Sequence, residues 1–191
     1  IAHLGSGVSV TAFQAAKPVD TTMSYSPTSG VMMSSRSGDI DPMVVTQLMN
    51  SEGMSITDVM SLLNEQSGLL GISELSADMY TLLESSDEKA KQAVELFCSS
   101  IKKTIGGYAA LLDGVNSIVF CGGMGENAPR IRTKILQRLS FLGIELDEER
   151  NNRGDECISS SKSSVGIHVI HTNENLMIAK EVTMLMNNKK G

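Results

Sequence analysis

Aromatic residues are scarce in this sequence. They make up 4% of its 191 residues, whereas methionine occurs 12 times. Leucine, isoleucine, valine and methionine must therefore fill the core, and the length suits one domain with a core of its own. Cysteine is also rare: Cys98, Cys121 and Cys157 are far apart and form no Cys-x-x-Cys pair. That spacing indicates unbridged thiols and a reducing, cytoplasmic location.

Long hydrophobic runs and basic runs are missing as well. No apolar run approaches the length of a membrane span, and the chain shows no signal peptide. The net charge is -6, and no basic run is longer than a pair such as Lys189-Lys190 in the tail. This balance argues against a nucleic-acid or anionic-membrane partner. The sequence opens without methionine, in the middle of a motif, so we expect a fragment or a processed piece.

The stretch 117–132 carries the strongest pattern in the chain. Residues 117–121 form an apolar run typical of a buried parallel strand, and residues 122–127 contain three glycines. Asn127 is predicted to be the N-cap of the helix that follows, with Pro129 in its first turn. A strand that leads through a glycine-rich turn into a helix presents N–H groups to an anion, and phosphate is the usual anion.

A second strand, turn and helix follow near the end of the chain. Residues 165–171 form an apolar run, 172–175 a polar turn, and the remainder an amphipathic helix. In a parallel sheet both turns lie at the carboxyl edge, where ligands bind. Glu174 would then face the same crevice, where its carboxylate could hold Mg²⁺ through water. The alternative is that Glu174 only favours a helix N-terminus.

The first residues contain another glycine turn. Gly5 and Gly7 allow the backbone to bend over a ligand, and Ser6 could donate to phosphate. Strands on both sides predict a hairpin, and most such turns are only turns. His3 adjoins the turn and is the best functional candidate among the three histidines, since His168 and His171 lie on or just after a strand.

Arg36 lies in a loop of small residues that also contains Asp39 and Asp41. Two interpretations stay open. The arginine forms a local ion pair with one of these aspartates, or it directs a guanidinium at a phosphoryl group during transfer. Asp41 is also the predicted N-cap of a helix, because Pro42 follows it.

Helical patterns fill the middle of the chain. Ser55 with Asp58, and Ser85 with Glu88, read as capping boxes. Gly106 and Gly107 interrupt the longest helix, which suggests that another backbone approaches closely there. Helices are predicted over 42–52, 56–66 and 87–112, with a short one starting at 76–80, glycines at 68–71 ending the second helix, and a polar surface excursion up to 164.

Several motifs occur in one order and together resemble the C-terminal domain of an acetate kinase, of the acetokinase family. The resemblance covers essentially the whole chain. The Arg-Ser-Gly-Asp-Ile-Asp-Pro and Gly-x-Gly-Glu-Asn motifs are specific together. The matching segments are 3–7, 35–42, 67–71, 78–79, 123–127 and 172–174.

The resemblance implies an α/β, actin-like fold (ribonuclease H-like, ASKHA superfamily), with a mixed sheet flanked by helices. It implies reversible, Mg²⁺-dependent phosphoryl transfer between ATP and acetate, which gives acetyl phosphate and ADP. It also implies a homodimer formed through this C-terminal domain, residues 1–191, and an N-terminal domain that this chain lacks. We therefore expect the chain alone to have feeble kinase activity at most.

The resemblance also implies roles for particular residues. Arg36 resembles the arginine that stabilises the transferring phosphoryl group, and Glu174 resembles the Mg²⁺-associated glutamate. The implied phosphate-binding hairpin is His3, Leu4, Gly5, Ser6 and Gly7, and the implied adenosine-side loops are Asp78, Met79, Tyr80 and Gly123, Met124, Gly125, Glu126, Asn127.

Five positions depart from the family pattern. Ser6 replaces an asparagine, and Ser34-Ser35 replaces Gly-Thr. Tyr80 replaces an arginine and so removes a cation from the nucleotide side, while Asn175 replaces a second glutamate. Some relatives use pyrophosphate, and others prefer propionate or butyrate, so these donors and acceptors remain alternatives.

Two rival functions come from other classes. Gly123-x-Gly125-x-x-Ala128 follows a strand, and Glu145 lies further along, which matches a dinucleotide-binding fingerprint. That interpretation, an oxidoreductase domain, leaves the Arg36 loop without a role. The other rival is a non-catalytic actin-like nucleotide-binding module, which also gives Arg36 no role.

Overall fold

A five-stranded mixed sheet forms the centre of the molecule. The computed structural model describes residues 1–188, with the side chains at positions 174, 175, 187 and 188 outside the description. Strand β1 pairs antiparallel with β2 and parallel with β4, β2 pairs antiparallel with β3, and β4 pairs parallel with β5. The spatial order is β3-β2-β1-β4-β5. The strands are β1 (Ala2–Leu4), β2 (Val8–Gln14), β3 (Lys17–Thr21), β4 (Ser117–Cys121) and β5 (Gly166–Val169).

Helices surround this sheet and supply about half of the described chain. None of those within residues 1–188 is long and apolar enough to cross a membrane. Their bounds are α1 (Pro42–Ser51), α2 (Ile56–Glu65), α3 (Gly68–Ser73), α4 (Met79–Glu84), α5 (Glu88–Leu111), α6 (Gly122–Asn127), α7 (Pro129–Leu136), α8 (Glu148–Arg153) and α9 (Glu174–Asn188), with a 3₁₀ turn at Ser140–Leu142.

Of the helix starts predicted at Asp41, Ser55 and Ser85, the first two are confirmed by hydrogen bonds. The Asp41 carboxylate accepts from the Met43 N–H at 2.9 Å, and Ser55 forms the reciprocal capping box with Asp58. The third start was wrong, because Asp87 rather than Ser85 caps α5. Asp87 accepts from the Lys89 N–H at 2.7 Å, while the Ser85 hydroxyl accepts from the Asp87 N–H. An aspartate directly before the helix outcompetes a serine two residues earlier.

The glycines at 68–71 do not end α2 but form α3. Gly68 has φ +62°, and a Cβ at this position would lie 2.2 Å from the Met33 carbonyl oxygen. The Leu69 N–H donates to that same oxygen at 2.9 Å. Gly68 is therefore required where α3 starts against the loop that carries Arg36.

The core is aliphatic, as the composition predicts. Phe97 of α5 and Phe120 of β4 are fully buried, and methionines and aliphatic residues surround them. The fully buried members include Leu4, Met33, Leu69, Met79, Ile101, Ile131, Ile135 and Ile158. The three cysteines are not joined by disulfides, and burial raises the pKa of Cys98 to about 12. That thiol is therefore unreactive at neutral pH.

The polar stretch before β5 was predicted to be a surface excursion, and that prediction was wrong in part. Ile158 is fully buried, and its N–H donates to the Ile167 carbonyl of β5 at 2.8 Å. Isolated bridges join Leu146 to Ser159 and Cys157 to His168. Asn151 of α8 is also fully buried. Isolated apolar residues in a charged segment gave too weak a periodicity to reveal this packing.

The close approach predicted at Gly106 and Gly107 is also wrong within the described residues. A Cβ at either position would meet nothing within 4 Å. Because both glycines lie inside α5 without a positive φ, alanine fits there.

We expect Gly107→Ala to stabilise the chain by about 0.5–1 kcal/mol, because alanine loses less backbone entropy in a helix. Gly114→Ala is the matched control. Position 114 is equally open, but its φ is +121°, so alanine should destabilise there. Urea unfolding followed by circular dichroism would measure both, and a destabilised Gly107→Ala variant would reveal a neighbour at α5.

Candidate functional site

The turns after β1 and β4 lie against each other. Parallel pairing places His3 opposite Cys121, so both strands reach the same edge of the sheet. Gly122 has φ +77°, and a Cβ there would lie 2.9 Å from the carbonyl carbon of Leu4. Only glycine allows this contact. The contact places the predicted phosphate-binding hairpin at 3–7 beside the glycine-rich segment at 122–127.

The hairpin turn is closed by its own backbone. The Gly5 N–H donates to the Gly7 carbonyl at 3.1 Å. The His3 ring lies beside this turn, with Nδ1 3.5 Å from Cys121 Sγ, and its Nε2 would be 3.2 Å from a Cβ on Gly5. Ser6 is exposed, whereas the Leu4 side chain is fully buried. Leu4 can therefore offer only backbone atoms to a ligand.

Arg36 lies against the hairpin turn. A Cβ on Gly7 would be 3.3 Å from Arg36 Nη1, so glycine makes room for the guanidinium. The Ser34 N–H also donates to the Ser6 carbonyl at 3.4 Å, which ties the two loops together. Arg36 Nη1 donates to the Pro27 carbonyl at 3.3 Å. A cation is therefore positioned beside the glycine turn at 5–7.

The two aspartates near Arg36 are occupied elsewhere. Asp39 accepts from the Gly30 N–H at 2.8 Å, and Asp41 caps α1. In the part of the chain that the structure describes, no carboxylate forms an ion pair with Arg36. Of the two interpretations left open by the sequence, the local ion pair is therefore not formed.

The glycine-rich turn itself is helical, which corrects the prediction for Asn127. Residues 122–127 form α6, and Ala128 occupies the N-cap position of α7. The Asn127 amide donates back to the Gly123 carbonyl at 3.1 Å. Because this side chain bonds back into α6 and accepts no N–H from the described residues of α7, Asn127 ends α6 and does not cap α7. Met124 and Gly125 are buried, and Gly123 is exposed.

Glu126 joins this turn to the turn after β5. Its carboxylate accepts from the Gly122 N–H at 3.1 Å, from the Thr172 N–H at 2.9 Å and from the Thr172 hydroxyl at 3.0 Å. His171 Nδ1 lies 2.9 Å from the other oxygen. Burial raises the pKa of Glu126, but the bonds from Thr172, His171 and Gly122 outweigh it and lower the pKa to about 2.

A fully buried arginine supports the turn from below. Arg132 donates from Nη1 to the Gly125 and Glu126 carbonyls at 2.8 and 2.9 Å. Its Nε and Nη2 each donate to Asn151 at 2.7 Å. Asn151 donates to the Pro129 carbonyl and the Thr133 hydroxyl, both at 3.1 Å. Carbonyls at the end of α6 therefore balance this charge without a carboxylate.

Sequence reasoning missed Arg132 and Asn151. Both are residue types that normally face solvent, and α8 lies in a charged segment. The available signal was the position of Arg132 between the buried Ile131 and Ile135 of α7, with Leu136 four residues on. An arginine on a buried helix stripe predicts a carbonyl-rich pocket, although not its location.

The Asp78–Tyr80 segment forms the start of α4. The Asp78 carboxylate accepts from the Thr81 N–H at 2.9 Å and from its hydroxyl at 2.8 Å, and these bonds lower the pKa of Asp78. Met79 is buried, while Tyr80 is 45% exposed. Burial raises the pKa of Tyr80 and Asp78 raises it further, whereas Arg132 lowers it. Asp78 is exposed as well, but its carboxylate caps α4.

Glu174 is the first residue of α9, and its side chain lies outside the described residues. Its predicted role at a metal therefore stays a prediction. In the part of the chain described, no three His, Cys, Asp or Glu side chains cluster to hold a metal ion. Mg²⁺ needs no such cluster, because it keeps several waters and binds through one or two carboxylates and substrate phosphates.

The fold and these loops define an α/β domain that gathers glycine turns, a cation and hydroxyl groups at one edge of its sheet. The sequence model of the Acetokinase family matches residues 1–180. The chain belongs to the acetokinase family.

Individual relatives agree with this assignment. The chain is 46% identical to the acetate kinase of Clostridium botulinum (strain Alaska E43 / Type E3) over 191 residues, covering 96% of this chain and 48% of that protein. It is 48% identical to the acetate kinase of Carboxydothermus hydrogenoformans, covering 98% and 48%. The chain thus spans about half the length of the curated relatives it matches.

Solved structures of such kinases confirm the actin-like α/β fold. Porphyromonas gingivalis acetate kinase is 38% identical with a TM-score of 0.91, covering 97% of this chain and 48% of that one. A Francisella tularensis propionate kinase is 40% identical with a TM-score of 0.89, covering 94% and 47%. The matched proteins are acyl kinases, so the dinucleotide-binding interpretation of Gly123-x-Gly125 is set aside.

We expect Arg132→Lys to destabilise the chain by about 3 kcal/mol, because lysine leaves Asn151 and the α6 carbonyls without partners in a buried site. Arg130→Lys is the control, since Arg130 pairs with Glu84 at an exposed position. That change should cost less than about 0.5 kcal/mol. Chemical denaturation would measure the free energy of unfolding of both variants. If Arg132→Lys lowered it no more than Arg130→Lys, the hydrogen bonds of Arg132 would be dispensable.

The hydrogen bonds of Glu126 also predict a pH dependence. Because its pKa falls from 4.5 to about 2 on folding, its stabilising effect is complete above 4.5 and is lost as the pH falls toward 2. The stability difference between the unmodified chain and Glu126→Gln should therefore be constant at neutral pH and shrink below 4.5. A difference that does not change between pH 7 and 3 would contradict the assigned bonds.

Proposed function

We propose that this chain is the C-terminal, nucleotide-binding half of an acetate kinase. The complete enzyme transfers a phosphoryl group reversibly between ATP and acetate, giving acetyl phosphate and ADP. The observation that supports this most is Arg36 Nη1, placed against Gly7 of the hairpin turn with no carboxylate paired to it among the described residues. Family membership supplies the reaction, since the matched relatives are named acetate kinases.

The reaction needs positioning and charge neutralisation more than it needs a nucleophile from the protein. A carboxylate oxygen of acetate attacks the terminal phosphorus of ATP, and the bond from that phosphorus to the ADP oxygen breaks. Negative charge spreads over the transferring oxygens in the transition state. The guanidinium of Arg36, which lies beside Gly7 of the hairpin turn, would neutralise that charge.

The glycine turns would hold the phosphates that do not react. Gly123 is exposed in α6, next to the hairpin turn, and its missing side chain lets phosphate oxygens approach the backbone. Mg²⁺, when bound, would neutralise phosphate charge, with Glu174 as its carboxylate on this chain. Glu174 follows the turn that Glu126 ties to α6, which supports a position near the phosphates.

The adenosine side consists of the start of α4 and the turn at 123–127. Tyr80 offers a neutral aromatic ring where the family pattern has an arginine, and aromatic rings stack on bases. ATP is therefore the proposed donor, with pyrophosphate as the alternative. Acetate is the proposed acceptor, and the propionate kinase among the structural neighbours keeps propionate or butyrate as alternatives.

The proposed partners are an N-terminal domain and a second copy of the protein, in the cytoplasm. Exposed apolar side chains support further contacts: α1 buries no residue and exposes Met43, Val44 and Met49. The described part of α9 likewise exposes Leu176, Met177 and Ile178. Apolar helices of this kind are normally covered in the complete protein.

Arg36→Ala in the full-length protein tests the proposal. We expect kcat for acetyl phosphate formation to fall by about 10³-fold or more, as for other arginines that stabilise a transferring phosphoryl group. Arg153→Ala is the control, because Arg153 is exposed and pairs with Asp155. Unchanged turnover in Arg36→Ala would favour the non-catalytic actin-like module, and absence of acetyl phosphate formation in the unmodified protein would refute the kinase assignment.

A further inference from the structure

Glu126 lies between two turns but leaves little of its carboxylate for a ligand. Oε1 accepts from the Gly122 N–H, the Thr172 N–H and the Thr172 hydroxyl, and Oε2 lies within hydrogen-bond distance of His171 Nδ1. The side chain is 12% exposed. A carboxylate has about two acceptor positions on each oxygen, so the protein donors saturate Oε1 and His171 takes one of the two positions on Oε2.

The charge of Glu126 is also unsuited to direct contact with phosphate. An ionised carboxylate repels phosphate oxygens and has no hydrogen to donate to them. Its donors, which come from α6 itself and from the turn after β5, offset this charge. The resemblance alone would make Glu126 a nucleotide ligand, whereas the geometry gives it another task.

We propose that Glu126 is a positioning residue that locks the turn after β4 to the turn after β5. This inference rests on the proposed function, because the locked turns are the ones assigned to nucleotide and metal. The lock extends into α9. Thr172 precedes Asn173, whose side-chain oxygen accepts from the Leu176 N–H at 3.0 Å and caps that helix.

The other end of the lock is the buried network under α6. The Glu126 carbonyl accepts from Arg132 Nη1 at 2.9 Å, and Arg132 is anchored to Asn151. The Glu126 backbone is thus bonded to Arg132, and its carboxylate is bonded to Thr172. Any displacement of the α6 turn would be passed to Thr172, and from there to the start of α9.

The test uses the full-length protein with Glu126→Ala, Thr172→Val and the double variant. Thr172→Val removes one of the donors to Glu126 and keeps the chain branched. Glu148→Gln is the matched control, since Glu148 accepts from the Thr133 hydroxyl at 3.1 Å on α8. Amide hydrogen exchange of residues 170–177 and the dissociation constant for ADP with Mg²⁺ are measured for each variant.

We expect Glu126→Ala to speed exchange at 170–177 about tenfold and to raise the dissociation constant about tenfold, because charged hydrogen bonds are lost. Thr172→Val should raise the dissociation constant about threefold, and the double variant should match Glu126→Ala alone, because both changes break one lock. Glu148→Gln should change neither quantity.

Four results would overturn the inference. The double variant could raise the dissociation constant for ADP by the product of the two single effects, or Glu126→Ala could weaken ADP binding without faster exchange at 170–177. Either result would mean that Glu126 contacts the nucleotide directly. Faster exchange with unchanged binding in every variant would make Glu126 a structural residue only. If the unmodified protein binds no ADP, the proposed function fails instead. The exchange measurement then decides the lock by itself, since unchanged exchange in Glu126→Ala would refute it.

Discussion

The site depends on one buried cation. Removing a guanidinium from water is costly unless hydrogen bonds replace its hydration, and Arg132 meets this condition with the carbonyls of α6 and both oxygens of Asn151. The requirement acts in both directions. The guanidinium of Arg132 is stabilised because the last carbonyls of α6 accept its hydrogen bonds. Those carbonyls have no partners within the helix, so the guanidinium satisfies them in turn. α8 is recruited through Asn151, so a segment distant in the sequence becomes part of the floor of the site.

Around this floor, sheet topology gathers the remaining parts. The parallel pairing of β1, β4 and β5 brings three loops to one edge, and glycine at positions 7 and 122 allows them to lie closer than any side chain would permit. Arg36 reaches this edge from a separate loop. Phosphoryl transfer suits such an arrangement, because its catalysis is chiefly positioning and electrostatic stabilisation. The proposed Glu126 lock would hold the turns after β4 and β5 in a fixed relative position.

Much of the fold and of the candidate site could be predicted from the sequence. The strands at 117–121 and 165–171, the capping box at Ser55 and the parallel edge follow from local patterns and are confirmed. Motif order also predicted the family. Two of the errors share one cause, since each concerns competition between neighbouring groups for a helix end. Asp87 displaced Ser85 as a cap, and Asn127 bonded backward to Gly123 instead of forward. Local patterns list the available donors and acceptors, but only the folded geometry selects among them.

The sequence by itself determined the class of chemistry. Glycine turns after apolar strands, one arginine among small residues and a threonine-asparagine-glutamate turn indicate phosphate chemistry, because backbone conformation and charge are encoded locally. Only the tertiary structure decided what each polar side chain does. Arg36 is left without a carboxylate partner among the described residues, Arg132 is buried beneath the site, and Glu126 is consumed by Thr172 and His171. The physical reason is that desolvation and hydrogen-bond satisfaction depend on groups far apart in the chain, which become neighbours only after folding.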